Sequence, residues 1–327
     1  MGYAVLLTIF GGPAVSDTVL AVDGTRFTLN GQPTFLYGVS YYGGLGASEE
    51  TLRADLNAMP QHGLNWLRLW ATWGAFENEI SAVNPDGGSR PEGLERLKRL
   101  VEDCEARGMV VDVTLSRGNG VTGPSRLAKH EEHRRAVETL VTELKPLRNW
   151  YLDLSNERNI QDQRHTSFEE LQALRELARR LDPDRLVTAS HAGDIPPGDL
   201  RRYIVEVGVD FLAPHRPRHA GSPAETEAKT RDYLAGMQAL GRVVPVHYQE
   251  PFRRDWGTWP PTAQDFLTDY RGAVAGGAAG WCLHNGSRAT DDGRPRRSFD
   301  LREGPLFEQL DAQETQALAL IAAERSR

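Results

Sequence analysis

The chain has 327 residues and a formal net charge of -7, so it offers no general electrostatic attraction to nucleic acid or anionic lipid. A neutral partner such as a sugar fits that balance better. No segment approaches the run of about 18 apolar residues that spans a bilayer, and the two cysteines, Cys104 and Cys282, are too few for a disulfide framework or a thiolate metal site.

The first ten residues are mostly apolar and Gly11 to Ser16 are small, which reads as a short export signal that lacks its basic start. Residues 1–18 are therefore expected to be a tail or weak signal segment of a secreted or periplasmic protein. A plain tail on a cytoplasmic protein explains the same letters. From Val19 to Tyr37, Asp23-Gly24 and Asn30-Gly31 punctuate three short apolar runs, the pattern of a small hairpin that leads into a strand.

Beyond it, short apolar runs at 35–41, 64–70, 109–115, 149–155, 186–190, 209–214, 243–248 and 279–283 read as strands. Between them lie helical patterns at Glu49–His62, Pro91–Arg107, Ser167–Leu181, Ala224–Leu240 and Ala263–Ala275, with a closing helix near Pro305–Glu324. Only Gly118 to Leu147 is weakly patterned. Arg107-Gly108, Leu181-Asp182-Pro183 and Leu240-Gly241 stop helices just before strands. Alternating strands and helices imply parallel pairing, and eight such units close an α/β (β/α)8 TIM barrel. Residues 19–327 are expected to form one catalytic domain, since no linker or low-complexity tract divides them.

In such a barrel the chemistry belongs at the C-terminal strand ends. Strand four runs apolar from Trp150 and turns polar at Ser155-Asn156-Glu157-Arg158; strand seven runs from Val243 through His247-Tyr248-Gln249 to Glu250-Pro251. The two glutamates stand 93 residues apart across three units, about 31 per unit, close to the ~30 of one βαβ repeat. They thus occupy equivalent positions. A pair of carboxyl groups about 5–5.5 Å apart is what a retaining glycosidase needs, one as acid/base and one as nucleophile. Taken singly, each glutamate is as well explained by a helix cap or an arginine partner.

Asn156-Glu157 ending strand four and Glu250 ending strand seven resemble the clan A glycoside hydrolases. Together with the hairpin, Arg68, His215 and Trp281, they look most like glycoside hydrolase family 5 and its cellulase-like members. The resemblance spans about residues 19 to 310. It implies that Glu157 is the general acid/base, Glu250 the nucleophile of a double displacement on a β-linked glycan, and Asn156 a partner for the sugar 2-hydroxyl. It implies further that Arg68, in Trp66-Leu67-Arg68-Leu69-Trp70, holds the nucleophile ionised, and that Trp281 is a sugar platform. Tyr41, Tyr42, Trp70, Trp73, Trp256 and Trp259 fall at or after strand ends, where flat aromatic faces suit the C–H faces of sugars. Asp112 and His284 are further candidates for substrate contact.

The pattern departs from family 5 in places. Asp112-Val113-Thr114 lacks the histidine usual after strand three, and Pro214-His215-Arg216-Pro217 keeps the histidine after strand six but loses the tyrosine that ordinarily touches the nucleophile. Tyr248 is the candidate to replace it. Arg158 stands where many such enzymes have proline. Two other classes compete: a catalytically silent carbohydrate-binding barrel, and a metal-dependent hydrolase barrel suggested by His191, His215, His247 and His284 near successive strand ends. Strand one offers no His-x-His and strand four no lysine, so no metal and no cofactor are expected. Asp291-Asp292-Gly293 reads as a turn. The partner expected is an oligosaccharide or polysaccharide, with no nucleic acid and no membrane insertion.

Overall fold

The computed structural model describes residues 18–118, 126–255, 257–287 and 297–326. The tail up to residue 17, Trp256 and the Asp291-Asp292-Gly293 turn lie outside the described residues. Three antiparallel strands open the structure: β1 (Leu20–Asp23), β2 (Arg26–Leu29) and β3 (Gln32–Thr34). Asn30 and Gly31 turn the second bend with φ of 51° and 77°, the backbone state that Asn-Gly supplies at least cost. This sheet sends Phe27 against Phe211 and His247. It joins a buried cluster with Trp66, Val110 and Tyr151 and so plugs the N-terminal end of the barrel.

The barrel strands follow as β4 (Leu36–Ser40), β5 (Trp66–Trp70), β8 (Val110–Thr114), β9 (Trp150–Asp153), β10 (Val187–Thr188), β12 (Pro214–His215), β13 (His247–Tyr248) and β14 (Gly280–Leu283). Seven of them form one parallel sheet in the order β10-β9-β8-β5-β4-β14-β13. The ring closes through the shortest unit. β12 pairs with β11 (His191–Ala192), which continues the fifth strand, and a parallel bridge joins Leu212 to Val246. A two-residue hairpin, β6 (Gly74–Ala75) with β7 (Asn78–Glu79), decorates the loop after β5.

The helices are α1 (Glu49–Gln61), α2 (Pro91–Glu105), α3 (His130–Glu143), α4 (Phe168–Leu181), α5 (Pro197–Arg201), α6 (Ser222–Ala239), α7 (Ala263–Gly276) and α8 (Ala312–Arg325). Each expected helix lies within a few residues of its observed place, and α3 fills the weakly patterned third unit. Sequence placed the closing helix from Pro305. It begins at Ala312, where Asp311 caps it and Glu314 completes a capping box. The strand side chains alternate, with one face inside the barrel and the other against the helices. That alternation decides which residues reach the mouth.

Candidate active site

Glu250 leaves β13 at the mouth, buried, with a different set of partners on each carboxylate oxygen. Tyr42, just beyond β4, donates its hydroxyl to Oε1 at 2.5 Å, and Arg68 Nη1 donates to the same oxygen. Oε2 faces Arg218 Nη2 at 3.1 Å, His284 Nε2 at 3.2 Å, and His215 Nδ1 and Arg253 Nη2 at 3.6 Å each. His284 lies two residues beyond the inward Cys282, and its Nδ1 is 2.7 Å from Ser40 Oγ. Burial and the neighbouring Arg253 hold the His284 imidazole well below its ordinary value. Burial opposes ionisation of Glu250, but His215, His284 and Arg68 outweigh it and hold the carboxyl well below the usual range. These neighbours favour the ionised form of Glu250.

Glu157 follows β9 in a left-handed backbone conformation, φ 48°. That state costs a residue with a Cβ about 1–3 kcal/mol and is retained where the surroundings enforce it. Its amide donates to Ser190 Oγ at 3.0 Å. One carboxylate oxygen lies 3.4 Å from His215 Nδ1 and the other accepts from Arg164 Nη1 at 3.1 Å. Opposing influences act on the Glu157 carboxyl. Burial and the Glu250 charge raise it, but the His215 hydrogen bond and the neighbouring Arg218 prevail, and the carboxyl is held below the ordinary glutamate value. Both carboxyls are depressed, Glu250 further than Glu157.

Arg68 points inward from β5 and is fully buried. It reaches Glu250, Asp153 (3.0 Å), Asp112 (3.2 Å), Thr114 (3.1 Å) and the side-chain oxygen of Asn156 (3.0 Å). A buried guanidinium needs such partners. Asn156 is thereby fixed through its oxygen, and its amide NH2 is the group turned over to other acceptors.

Six sequence-based assignments change. Tyr248 faces outward from β13, where its hydroxyl is 2.6 Å from Thr230 Oγ1 on α6. Strand alternation sends His247 and Gln249 inward instead, and the tyrosine that touches Glu250 is Tyr42, just beyond β4. Trp281 is also outward, with Nε1 donating to Asp269 on α7 at 2.6 Å and its ring stacked on Tyr37; it packs the helix layer and presents no platform. Tyr41 donates to Asp55 on α1 at 2.8 Å, behind the barrel wall. Asp112 sits beneath the site and accepts from Tyr151 at 3.0 Å and Gln249 at 2.8 Å, with burial raising its carboxyl to about 8; it supports Arg68 from below and does not face substrate. Trp70 and Trp73 are buried around the Tyr42 ring with Phe299, so they brace Tyr42 and offer no open face. Trp259 packs on Phe252.

Sequence reasoning passed over Ser40, Arg164, Arg218 and Arg253. The three arginines share one signal: each lies in the loop that follows a barrel strand carrying an expected site residue. The cluster also bears on the metal alternative. Glu157, His215 and Glu250 offer ligand atoms within 4.8 Å of one another, yet arginines already stand on the same carboxylates and repel a cation.

Tyr42→Phe is expected to lower kcat/KM by about ten- to a hundredfold, because a hydrogen bond to a charged group is worth ~1.5–3 kcal/mol. Tyr248→Phe is expected to leave kcat/KM nearly unchanged and to cost about 1 kcal/mol of stability. Kinetics and thermal melts of the two variants check the assignment. The reverse pattern contradicts it.

No protein-family model matches the chain. In sequence it is similar to mannan endo-1,4-beta-mannosidase A of Podospora anserina, 24% identical over 71% of this chain and 73% of that protein. In structure it overlays a glycoside hydrolase family 5 protein from Bacteroides vulgatus ATCC 8482 with TM-score 0.68 at 15% identity, covering 93% of this chain and 72% of that one. It overlays the endo-1,4-beta-mannanase of Rhizomucor miehei with TM-score 0.66 at 12% identity, covering 95% and 100%. It spans 62% of the length of a second Bacteroides vulgatus structure. At these identities the structural likeness concerns the fold. Fold, sequence relative and site together define the class of protein as a glycoside hydrolase. Within that class the chain is similar to family 5, as the residues at strands four and seven led us to expect.

Proposed function

We propose that the chain hydrolyses a β-linked glycan or glycoside with retention of configuration, with Glu250 as nucleophile and Glu157 as general acid/base. The observation that carries this reading is the approach of the two carboxylates. One oxygen of each lies within 4.8 Å of an oxygen of the other, which supports the ~5–5.5 Å spacing of retaining pairs over the ~6.5–9.5 Å at which inverting enzymes seat a water. Glu250 attacks the anomeric carbon while Glu157 protonates the departing oxygen; Glu157 then takes a proton from the water that releases the sugar. Asn156, held by Arg68, donates to the sugar 2-hydroxyl. Residues 19–327 act as one catalytic unit in this reading. The relatives named as mannanases make β-1,4-mannan the first polymer to test.

Two measurements follow. Proton NMR of the first product is expected to show the anomer of the substrate; an initially inverted product contradicts the roles. The pH profile of kcat/KM is expected to be bell-shaped and to lie on the acid side of neutrality. Glu157 must be protonated while Glu250 is ionised, and both carboxyls are depressed. The two limbs belong to the coupled pair. A profile centred above neutral pH contradicts the assignment.

A further inference from the structure

More positive charge surrounds the two glutamates than hydrolysis of a neutral glycoside requires. Among the described residues, Arg68, Arg164, Arg218 and Arg253 all come within 4.0 Å of a carboxylate oxygen of the pair. Arg68 and Tyr42 both hold Glu250 through Oε1. Arg218 stands on the other oxygen at 3.1 Å and lies 4.0 Å from Glu157, so one guanidinium bridges the gap between the two carboxylates. A sugar about to be attacked must occupy that gap. Arg218 therefore has to leave Oε2 in the productive complex, and while it remains it makes the nucleophile less basic.

A guanidinium gives up a desolvated carboxylate at low cost only when another anion receives it. The Arg218 side chain is 25% exposed and Arg164 31%, which gives both a route outward, whereas Arg253 is 6% exposed and lies over the Phe299 ring. The three enter on different loops, after β9, β12 and β13, and so ring the mouth. The overall charge of -7 favours a neutral substrate only on average; the field in a cleft is set by the charges that line it.

We propose that the site takes an anionic glycan, whose carboxylate or sulfate group close to the scissile bond draws Arg218 off the nucleophile, with Arg253 and Arg164 as further cationic contacts. The inference rests on the reading of Glu157 and Glu250 as the catalytic pair. It adds the substrate's charge, which a barrel acting on neutral mannan does not need.

The test uses the whole chain on β-mannan and β-glucan, each beside the same polymer with its C6 hydroxyls partly oxidised to carboxylates and beside a C6-sulfated preparation. Released reducing ends give kcat/KM, and affinity electrophoresis gives binding without turnover. An anionic form is expected to be preferred by about tenfold or more, the worth of one charged hydrogen bond, and added salt is expected to shrink the preference. The carboxylate and sulfate arms show which anion is taken. Arg218→Met is expected to cut the anionic-to-neutral ratio by a similar factor, and Arg218→Lys to restore part of it. Equal handling of neutral and charged polymers overturns the proposal, as does a ratio that Arg218→Met leaves unmoved, or no binding to any charged polymer. Salt-sensitive binding of charged polymers without released ends supports the charge reading and removes the hydrolase. Released ends without a charge preference do the opposite.

Discussion

Glu250→Ala is expected to lower turnover by about 10⁴-fold or more, since the group that forms the glycosyl ester is gone. Glu157→Ala is expected to lose ~10²- to 10⁴-fold on substrates with poor leaving groups, the usual worth of a positioned acid/base. It should retain most of its first-step rate on activated aryl glycosides, which need no proton. Azide separates the roles further. Added to Glu157→Ala it should accelerate release and give a glycosyl azide of retained configuration, because the small anion enters where the acid/base stood and attacks the ester. Added to Glu250→Ala it can only replace the nucleophile, so any azide product has inverted configuration. Equal residual rates, or the same azide anomer from both variants, contradict the division of labour.

The second large effect concerns Arg68, which is fully buried and ion-paired to Asp112, Asp153 and Glu250. Arg68→Met removes one partner and leaves the carboxylates, a change that costs about 3–5 kcal/mol when the site is buried. The sign of its pH dependence follows from Glu250. In the wild type its folded carboxyl is depressed, so its ion pairing stabilises the fold above the unfolded value and is lost as pH falls through the folded value. Without Arg68 less of that stabilisation exists at neutral pH. The difference in Tm between wild type and variant is therefore expected to be greatest near neutrality and to shrink in acid, where the carboxylates are protonated in both. The acidic limb of kcat/KM should move upward in the variant, since Glu250 becomes harder to ionise. A Tm difference that is constant with pH, together with an unmoved acidic limb, shows that Arg68 is packing and not a charge partner.

The eight-unit count was legible because each barrel strand is a short apolar run bounded by helix stops, and because hydrophobic period and glycine placement agree over most of the chain. The sixth strand was the hardest to delimit: expected at 209–214, it pairs as β12 at Pro214–His215 with only a bridge at Leu212. Proline lacks the amide that a ladder uses. The glutamates were legible from their equivalent places at two strand ends. What failed was the facing of neighbouring side chains. Near a strand end a one-residue error in phase exchanges mouth for helix layer. The resemblance turns Trp281 toward the mouth and Tyr248 is the candidate for the lost tyrosine, yet Trp281 lies one residue after Gly280, whose missing Cβ makes room for the inward His247 ring. Tyr41 and Tyr42 illustrate the same rule, since adjacent residues with the same side chain reach Asp55 on α1 and Glu250 respectively. The arginines of the mouth come from loops, whose course no periodicity describes.

The central claim is that Glu250 becomes covalently attached to the sugar. It is tested most directly by incubating the protein with 2-deoxy-2-fluoroglycosyl fluorides, neutral and uronic, and mapping the adduct by peptide mass spectrometry. The account expects one fluoroglycosyl group on the peptide that contains Glu250, appearing in step with loss of activity and absent from Glu250→Ala. A protein that turns over aryl glycosides yet is never labelled, or that carries the label on Glu157, contradicts it.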